Sequence, residues 1–199
     1  LMFTFHDMVI HIDPTGREGD YSSMKDAGLI LITHEHGDHC DPGAVEEILR
    51  DDTEIVCSPA CAERLPDGTV MNNGDTLTVK GIRIAAVPAY NIVNKRSSGE
   101  PYHPKGRGNG YVLTFGDKKV YIAGDTENIP EMERLEDIHV AFLPMNLPYT
   151  MTPEMVRNAA LMFKPKILYP YHYGKTDTAK LVTLMKPHKE VEVRIRKLQ

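Results

Sequence analysis

Nine residues, Thr33-His34-Glu35-His36-Gly37-Asp38-His39-Cys40-Asp41, hold three histidines among several carboxylates. Neutral imidazole is the commonest protein ligand for metal ions, and carboxylates often complete such sets. His34 and His36, two positions apart, can turn toward one centre. Asp38 and His39, on the tight turn that Gly37 allows, can serve a second centre beside it. A polar surface turn would use the same residue types, but so dense a His/Asp cluster rarely has a purely structural explanation.

The elements around the cluster must hold it still. Leu29-Ile30-Leu31-Ile32 is an apolar run that suits a buried strand, and Pro42 opens a helix-like stretch over 43–50. The histidines therefore sit on a turn at a strand end, where a rigid scaffold presents loop side chains.

The His34-x-His36-x-Asp38-His39 pattern resembles the signature of the metallo-β-lactamase fold superfamily, whose members are mostly hydrolases with one or two metal ions. Glu35, Gly37 and Cys40-Asp41-Pro42 look most like its lactonase-like branch, which includes L-ascorbate-6-phosphate lactonase. The resemblance runs from about Ile10 to Gly174 and implies an α/β fold, a four-layer αββα sandwich, as a single hydrolase domain over 1–199. It also implies further ligands in a set order. A third histidine is required before the next acidic ligand, and His103 is the only histidine between His39 and His139. Asp125, after Gly124 at the end of a predicted hairpin, matches the bridging aspartate, and His172 in Pro170-Tyr171-His172-Tyr173-Gly174 matches the last ligand.

The implied set is His34, His36 and His103 for one metal, Asp38, His39 and His172 for the other, and Asp125 between them. Histidine and carboxylate without thiolate suit two divalent ions, zinc first, with manganese or iron also accommodated. The expected chemistry is attack by a metal-bound hydroxide on a lactone or other ester, with Asp38 managing the proton. A phosphodiester is the alternative substrate. A metal-binding protein without catalysis would be expected to lack a ligand, and a flavodiiron-type redox role would require a carboxylate-rich site and a flavin domain. Just before residue 13 the family usually carries a strand ending in a Gly-His-Ala type segment, which is absent here; the chain is either truncated or begins late, and one wall of the site is left open.

Composition sets the bounds. A chain of 199 residues can bury a full core without disulfides or structural metal. A net charge of −5 gives no general attraction to nucleic acid or membrane, so the expected partner is a small molecule. Cys40, Cys57 and Cys61 read as reduced thiols, Cys40 as a small buried side chain rather than a ligand. Without a membrane-length apolar run or a signal-type start, the expected location is cytoplasmic.

Along the chain, strands are expected at 2–5 and 8–12 around a His6-Asp7 turn, then at 54–57, 69–71, 76–79 and 82–87, with a short helix capped by Ser58. His6, His11, His139 and His188 are set aside as structural or surface residues. Asp13 before Pro14 is either a partner that orients an imidazole or a plain turn residue. Residues 88–110 form a long loop with Lys95, Arg96, Lys105 and Arg107, read either as a clamp for phosphate or carboxylate or as a solvated loop; Tyr90, Asn91 and Tyr102 are candidates for the same pocket. A hairpin over 110–123, a helix near 129–135, a strand at 140–143, a pocket wall over 144–151, a helix capped by Thr152, a strand at 166–169, a helix from Thr176 and a last strand at 191–195 complete the expectation.

Overall fold

Leu29 and Leu31 face one core and Ile30 and Ile32 face another, although all are consecutive in one strand. That alternation is what a strand covered on both faces requires, and it explains why the run is apolar throughout. The structure, a computed structural model, describes residues 1–198.

Its first sheet has the order β1-β2-β3-β4-β5, built from β1 (Met2–Phe5), β2 (Met8–Ile12), β3 (Leu29–Ile32), β4 (Glu54–Cys57) and β5 (Thr69–Val70). β1 and β2 pair antiparallel, and β2 through β5 run parallel. The second sheet has the order β12-β11-β10-β9-β8-β7-β6. It comprises β6 (Thr76–Val79), β7 (Ile82–Ala89), β8 (Gly108–Phe115), β9 (Lys118–Ile122), β10 (Ile138–Pro144), β11 (Ile167–Tyr171) and β12 (Glu192–Val193). Its β6 to β9 half is antiparallel and its β9 to β12 half parallel.

The sheets pack face to face through Ile10, Leu31, Ile84, Tyr111, Leu113 and Ile122. Outside the first sheet, Ile30 and Ile32 pack on Val45 and Ile48 of the α1 region (Pro42–Glu47 and the residue after it). Outside the second, Tyr121, Ala141, Leu143 and Leu168 pack on α2 (Pro153–Phe163) and α3 (Thr178–Met185). This is the expected four-layer α/β arrangement. Among the described residues no helix is long and apolar enough to cross a membrane.

The helices start where their caps dictate. Asp41 accepts from the backbone of Gly43 and Ala44 with Pro42 in the first turn, and Thr152 accepts from Met155 N–H with Pro153 following. Three expectations are corrected. The Ser58 segment is a 3₁₀ turn over Pro59–Cys61 in which Ser58 makes no cap bond; its hydroxyl lies 3.3 Å from the Cys61 sulfur instead. The 129–135 helix is a 3₁₀ helix over Pro130–Arg134. The last strand shrinks to β12, because only Glu192 and Val193 reach a partner on β11.

Candidate metal centre

The C-terminal ends of β2, β3, β9 and β11 open onto one rim of the sandwich, and each delivers a polar residue there: Asp13, the 33–41 turn, Asp125 and His172. The turn is closed by His39 N–H and Cys40 N–H, both donating to the His36 carbonyl at 2.9 and 2.8 Å. Gly124 has φ +64, and a Cβ there would lie 2.8 Å from the Asn109 carbonyl and 3.2 Å from the Thr33 Cβ. Only glycine lets β9 turn into Asp125 so close to the neighbouring backbone. Asp13 and His172 also hold left-handed backbone, at φ 49 and 44, a conformation that side-chain-bearing residues keep only when their surroundings fix it.

The hydrogen bonds behind the histidines determine which ring nitrogens face inward. Asp13 Oδ1 accepts from Thr33 N–H at 2.7 Å and Asp13 Oδ2 from the Thr33 hydroxyl at 2.7 Å. The hydroxyl hydrogen is thus committed, so Thr33 Oγ1 can only accept from His34 Nδ1–H, 2.9 Å away. His39 Nδ1–H donates to Asp13 Oδ2 at 2.8 Å. Asp13 is therefore the orienting partner, directly for His39 and through Thr33 for His34. In both rings Nε2 is left for the rim.

Those atoms converge. His34 Nε2 lies 3.2 Å from His36 Nδ1, and His39 Nε2 lies 3.3 Å from His172 Nε2. Asp125 Oδ2 is 3.3 Å from His103 Nε2 and 3.7 Å from His172 Nε2, while Oδ1 is 3.6 Å from His39 Nε2. Asp38 Oδ2, more exposed, is 4.0 Å from His172 Nε2. Ligand atoms of His34, His36 and His103, of His34, His39 and Asp125, and of Asp38, His39 and His172 each lie within 4.8 Å of one another. The seven expected residues are thus brought to one place, in three overlapping groups.

Their charge balance is that of a site made for cations. Burial, then the neighbouring His39, holds His34 well below its ordinary pKa of 6.5, and burial and His103 lower His36. Burial also opposes charge on His39, but Asp125 and Asp13 outweigh it and push it up to about 9. Asp125 is buried, which disfavours its charge, yet His39, His103 and His172 hold it well below the carboxylate range. Its Oδ1 is nevertheless buried without any hydrogen-bond partner. An ionised, orphaned oxygen ringed by imidazole nitrogens fits a divalent ion, whose charge would supply the missing partner. A hollow of about 10 Å³ at His34, His36, His103 and Asp125 is roughly the size of one water-sized sphere.

A larger cavity of about 470 Å³ opens over this cluster, lined by His36, Asp38, His103, Asp125 and His172 and walled by Tyr102, Asn146, Tyr149, Arg17 and Arg96. The 144–151 segment is thus a pocket wall, as expected. The basic loop is divided. Lys105 pairs with Glu131 at 2.6 Å and Arg107 with Glu35 at 2.8 Å, whereas Arg96 lies over the Tyr102 ring and has no carboxylate partner among the described residues. Tyr90 and Asn91 stand behind the wall: Tyr90 donates to Glu131, and Asn91 contacts the back of His103. Cys40 is fully buried beside Cys61 in the outer core, as expected. His11 is buried with Nε2 2.9 Å from the Lys25 carbonyl, and His139 lies within β10 rather than before it.

Arg17, Thr33 and Glu127 carry no sequence signal as site residues, and Asn91, a candidate for the pocket itself, stands behind it instead. Arg17 lies 20 residues upstream of Gly37 (37 − 17) and meets it only because the 13–20 segment folds over the turn. Glu127 follows Asp125 by two, a spacing that carries no ligand signature.

Two packed sheets, helices outside both, and a His/Asp cluster at the strand-end rim define a metallo-β-lactamase fold protein. A protein of that fold from Bacillus subtilis, YhfI, superposes with a TM-score of 0.79 over 99% of this chain and 87% of its own, at 15% identity. Residues 1–172 match the family described as beta-lactamase superfamily domain. A UPF0173 metal-dependent hydrolase of Thermococcus onnurineus is 35% identical over 179 residues, 83% of this chain and 77% of that protein. A crystal structure described as a candidate metal-dependent hydrolase from Parabacteroides distasonis is 50% identical, with a TM-score of 0.94 over 100% of this chain and 89% of its own. The chain belongs to the beta-lactamase superfamily and, within it, to the metal-dependent hydrolases.

Proposed function

We propose that this single-domain hydrolase cleaves a lactone or other ester that carries an anionic group, with two divalent cations at the rim. His34, His36 and His103 would hold one ion, Asp38, His39 and His172 the other, and Asp125 would bridge them. The observation that carries this reading is Asp125: a buried carboxylate with an orphaned Oδ1, met from both sides by histidine nitrogens. The donor set favours zinc, and manganese or iron would use the same oxygen and nitrogen ligands.

When bound, the ions would polarise the scissile carbonyl and lower the pKa of a water from about 15.7 toward about 7. The chain's own residues do the rest. Asp38 Oδ2, at the open side of the group, is placed to take the proton of the attacking water and return it to the leaving oxygen. Arg17 and Arg96 on the cavity wall are suited to a carboxylate or phosphate of the substrate, since neither is neutralised by a protein carboxylate among the described residues. Tyr102 and Tyr149, with ring centroids 5.0 Å apart, form an apolar face that excludes water from one side.

The same arginines would serve a phosphodiester, which is the second reading. The lactonase-like branch rests on the 35–42 residues, and a cytoplasmic location is supported by three buried, unpaired thiols. The test is metal analysis by mass spectrometry together with a hydrolysis screen of lactones, phosphodiesters and thioesters in the presence of zinc or manganese. Two ions per chain and turnover of a lactone are expected. Asp125→Ala should lose both metal occupancy and hydrolysis, and a metal-loaded Asp125→Ala protein with full activity would defeat the proposal.

A further inference from the structure

Glu127 is 1% exposed and has no cationic side-chain partner among the described residues, yet four donors satisfy its carboxylate. Its Oε2 accepts from Ile92 N–H at 2.8 Å and Val93 N–H at 2.7 Å. Its Oε1 accepts from Asn94 N–H at 2.6 Å and from Asn91 Nδ2 at 3.2 Å. Its own N–H donates to the Tyr90 carbonyl at 3.0 Å. Three successive backbone N–H groups wrapped on one carboxylate make an anion nest, with the anion supplied by the chain itself. A charged acceptor in such a nest forms the stronger class of hydrogen bond.

The nest fixes Asn91, and Asn91 fixes His103. Asn91 Nδ2 donates to Glu127 and to the Tyr149 carbonyl at 2.9 Å, two groups that can only accept, so the amide nitrogen must lie on that side. Oδ1 is thereby turned to the other side, where it accepts from His103 N–H at 2.8 Å and lies 2.7 Å from His103 Nδ1. A carbonyl oxygen cannot donate, so the hydrogen of a neutral His103 ring sits on Nδ1. Nε2 then presents its lone pair to Asp125, with the His34 and His36 rings 5.1 and 4.9 Å away by centroid. Asn91 N–H also donates to the His103 carbonyl at 2.8 Å, which clamps the two residues together from both sides.

We infer that Glu127 and Asn91 are positioning residues that lock His103 in the ring orientation and tautomer needed to bind the first ion. The inference rests on the reading of His103 as a ligand. It explains how a histidine from an 18-residue excursion between β7 and β8 (residues 90–107) can be as well placed as those on the short turn after β3. The carboxylate acts two hydrogen bonds away from the ion and would touch neither ion nor substrate.

The test loads wild type, Asn91→Leu, Glu127→Gln and His103→Ala with Co²⁺, whose visible spectrum reports ligand number. Affinity is read by chelator competition and the fold of the metal-free proteins by thermal melting. Asn91→Leu should weaken one of the two positions by about 10- to 100-fold and alter only that position's spectrum. Glu127→Gln, which keeps the side chain's size, should weaken the same position to a smaller degree, and it serves if Asn91→Leu does not fold. Adding Asn91→Leu to His103→Ala should cost nothing more at that position. Wild-type affinity at both positions in Asn91→Leu, or an equal further loss in the His103→Ala background, would overturn the positioning role alone. Wild-type binding of two ions by His103→Ala would overturn the ligand reading and this inference with it.

Discussion

At the scale of single residues, the proposed site needs nitrogen lone pairs held toward the position a cation would take. Asp13 does this for His34 and His39, and Asn91 for His103. In metal-free protein the nearest substitute for the ion is a proton, and His39 takes it: its pKa is raised to about 9, burial working against and Asp125 and Asp13 for the charge. A group whose pKa is raised on folding stabilises the fold fully below its unfolded value and loses that stabilisation as pH climbs through its folded one. The window here runs from 6.5 to about 9. Chelated protein should therefore melt at progressively lower temperature across that range in a thermal scan, and His39→Asn should flatten the slope. A slope unchanged in His39→Asn would show that His39 does not hold the proton.

At the scale of elements, the strands are aligned so that their ends, not their middles, carry chemistry. β9 continues into Ala123, fully buried in the core, and then reaches Asp125 through the left-handed Gly124. Gly124→Ala would place a methyl group 2.8 Å from a backbone oxygen that cannot yield without disturbing Asn109, whose amide already bonds the Met71 carbonyl at 2.7 Å. The substitution should cost at least about 1–3 kcal/mol by urea denaturation, from the strained backbone alone, and should lower metal occupancy further than its effect on stability would suggest. Wild-type occupancy and stability would show that the turn has more room than its geometry indicates. The helices play a different part: α1, α2 and α3 cover the sheets and leave the rim to loops.

At the scale of the whole molecule, a chain of net charge −5 keeps two guanidinium groups, Arg17 and Arg96, without a carboxylate partner among the described residues on the wall of the cavity over the His/Asp cluster. Of the other cations of the 88–110 loop, Lys105 pairs with Glu131 and Arg107 with Glu35, and Lys95 does not line the cavity. This separation of paired from unpaired cations is the physical case for an anionic substrate. Arg17→Leu and Arg96→Leu should each raise KM for an anionic ester by roughly 10- to 100-fold, the worth of one charge-assisted hydrogen bond, with kcat nearly unchanged. A neutral ester of the same acyl group should be hydrolysed as before. Equal losses on both substrates would mean that the arginines support the wall rather than recognise charge.

What the sequence determined by itself was the layering and the candidate set of His and Asp residues that the fold gathers. His34, His36, Asp38 and His39 are close in the chain, so their shared destination follows from one turn, and the doubly apolar 29–32 run already implies a strand covered on both faces. The family resemblance, applied in chain order, singles out His103, Asp125 and His172, and the rim brings all three beside the turn. The tertiary structure decided everything that depends on which side of a group faces its neighbour. Asp13 could have been a plain turn residue until the fold brought it within 2.8 Å of His39. Four loop cations looked alike in sequence, and only packing separated Arg96 from Lys105 and Arg107. Glu127 had no local signature, because its partners lie 33 to 36 residues away and most are backbone N–H groups, which every sequence possesses and only a fold can aim.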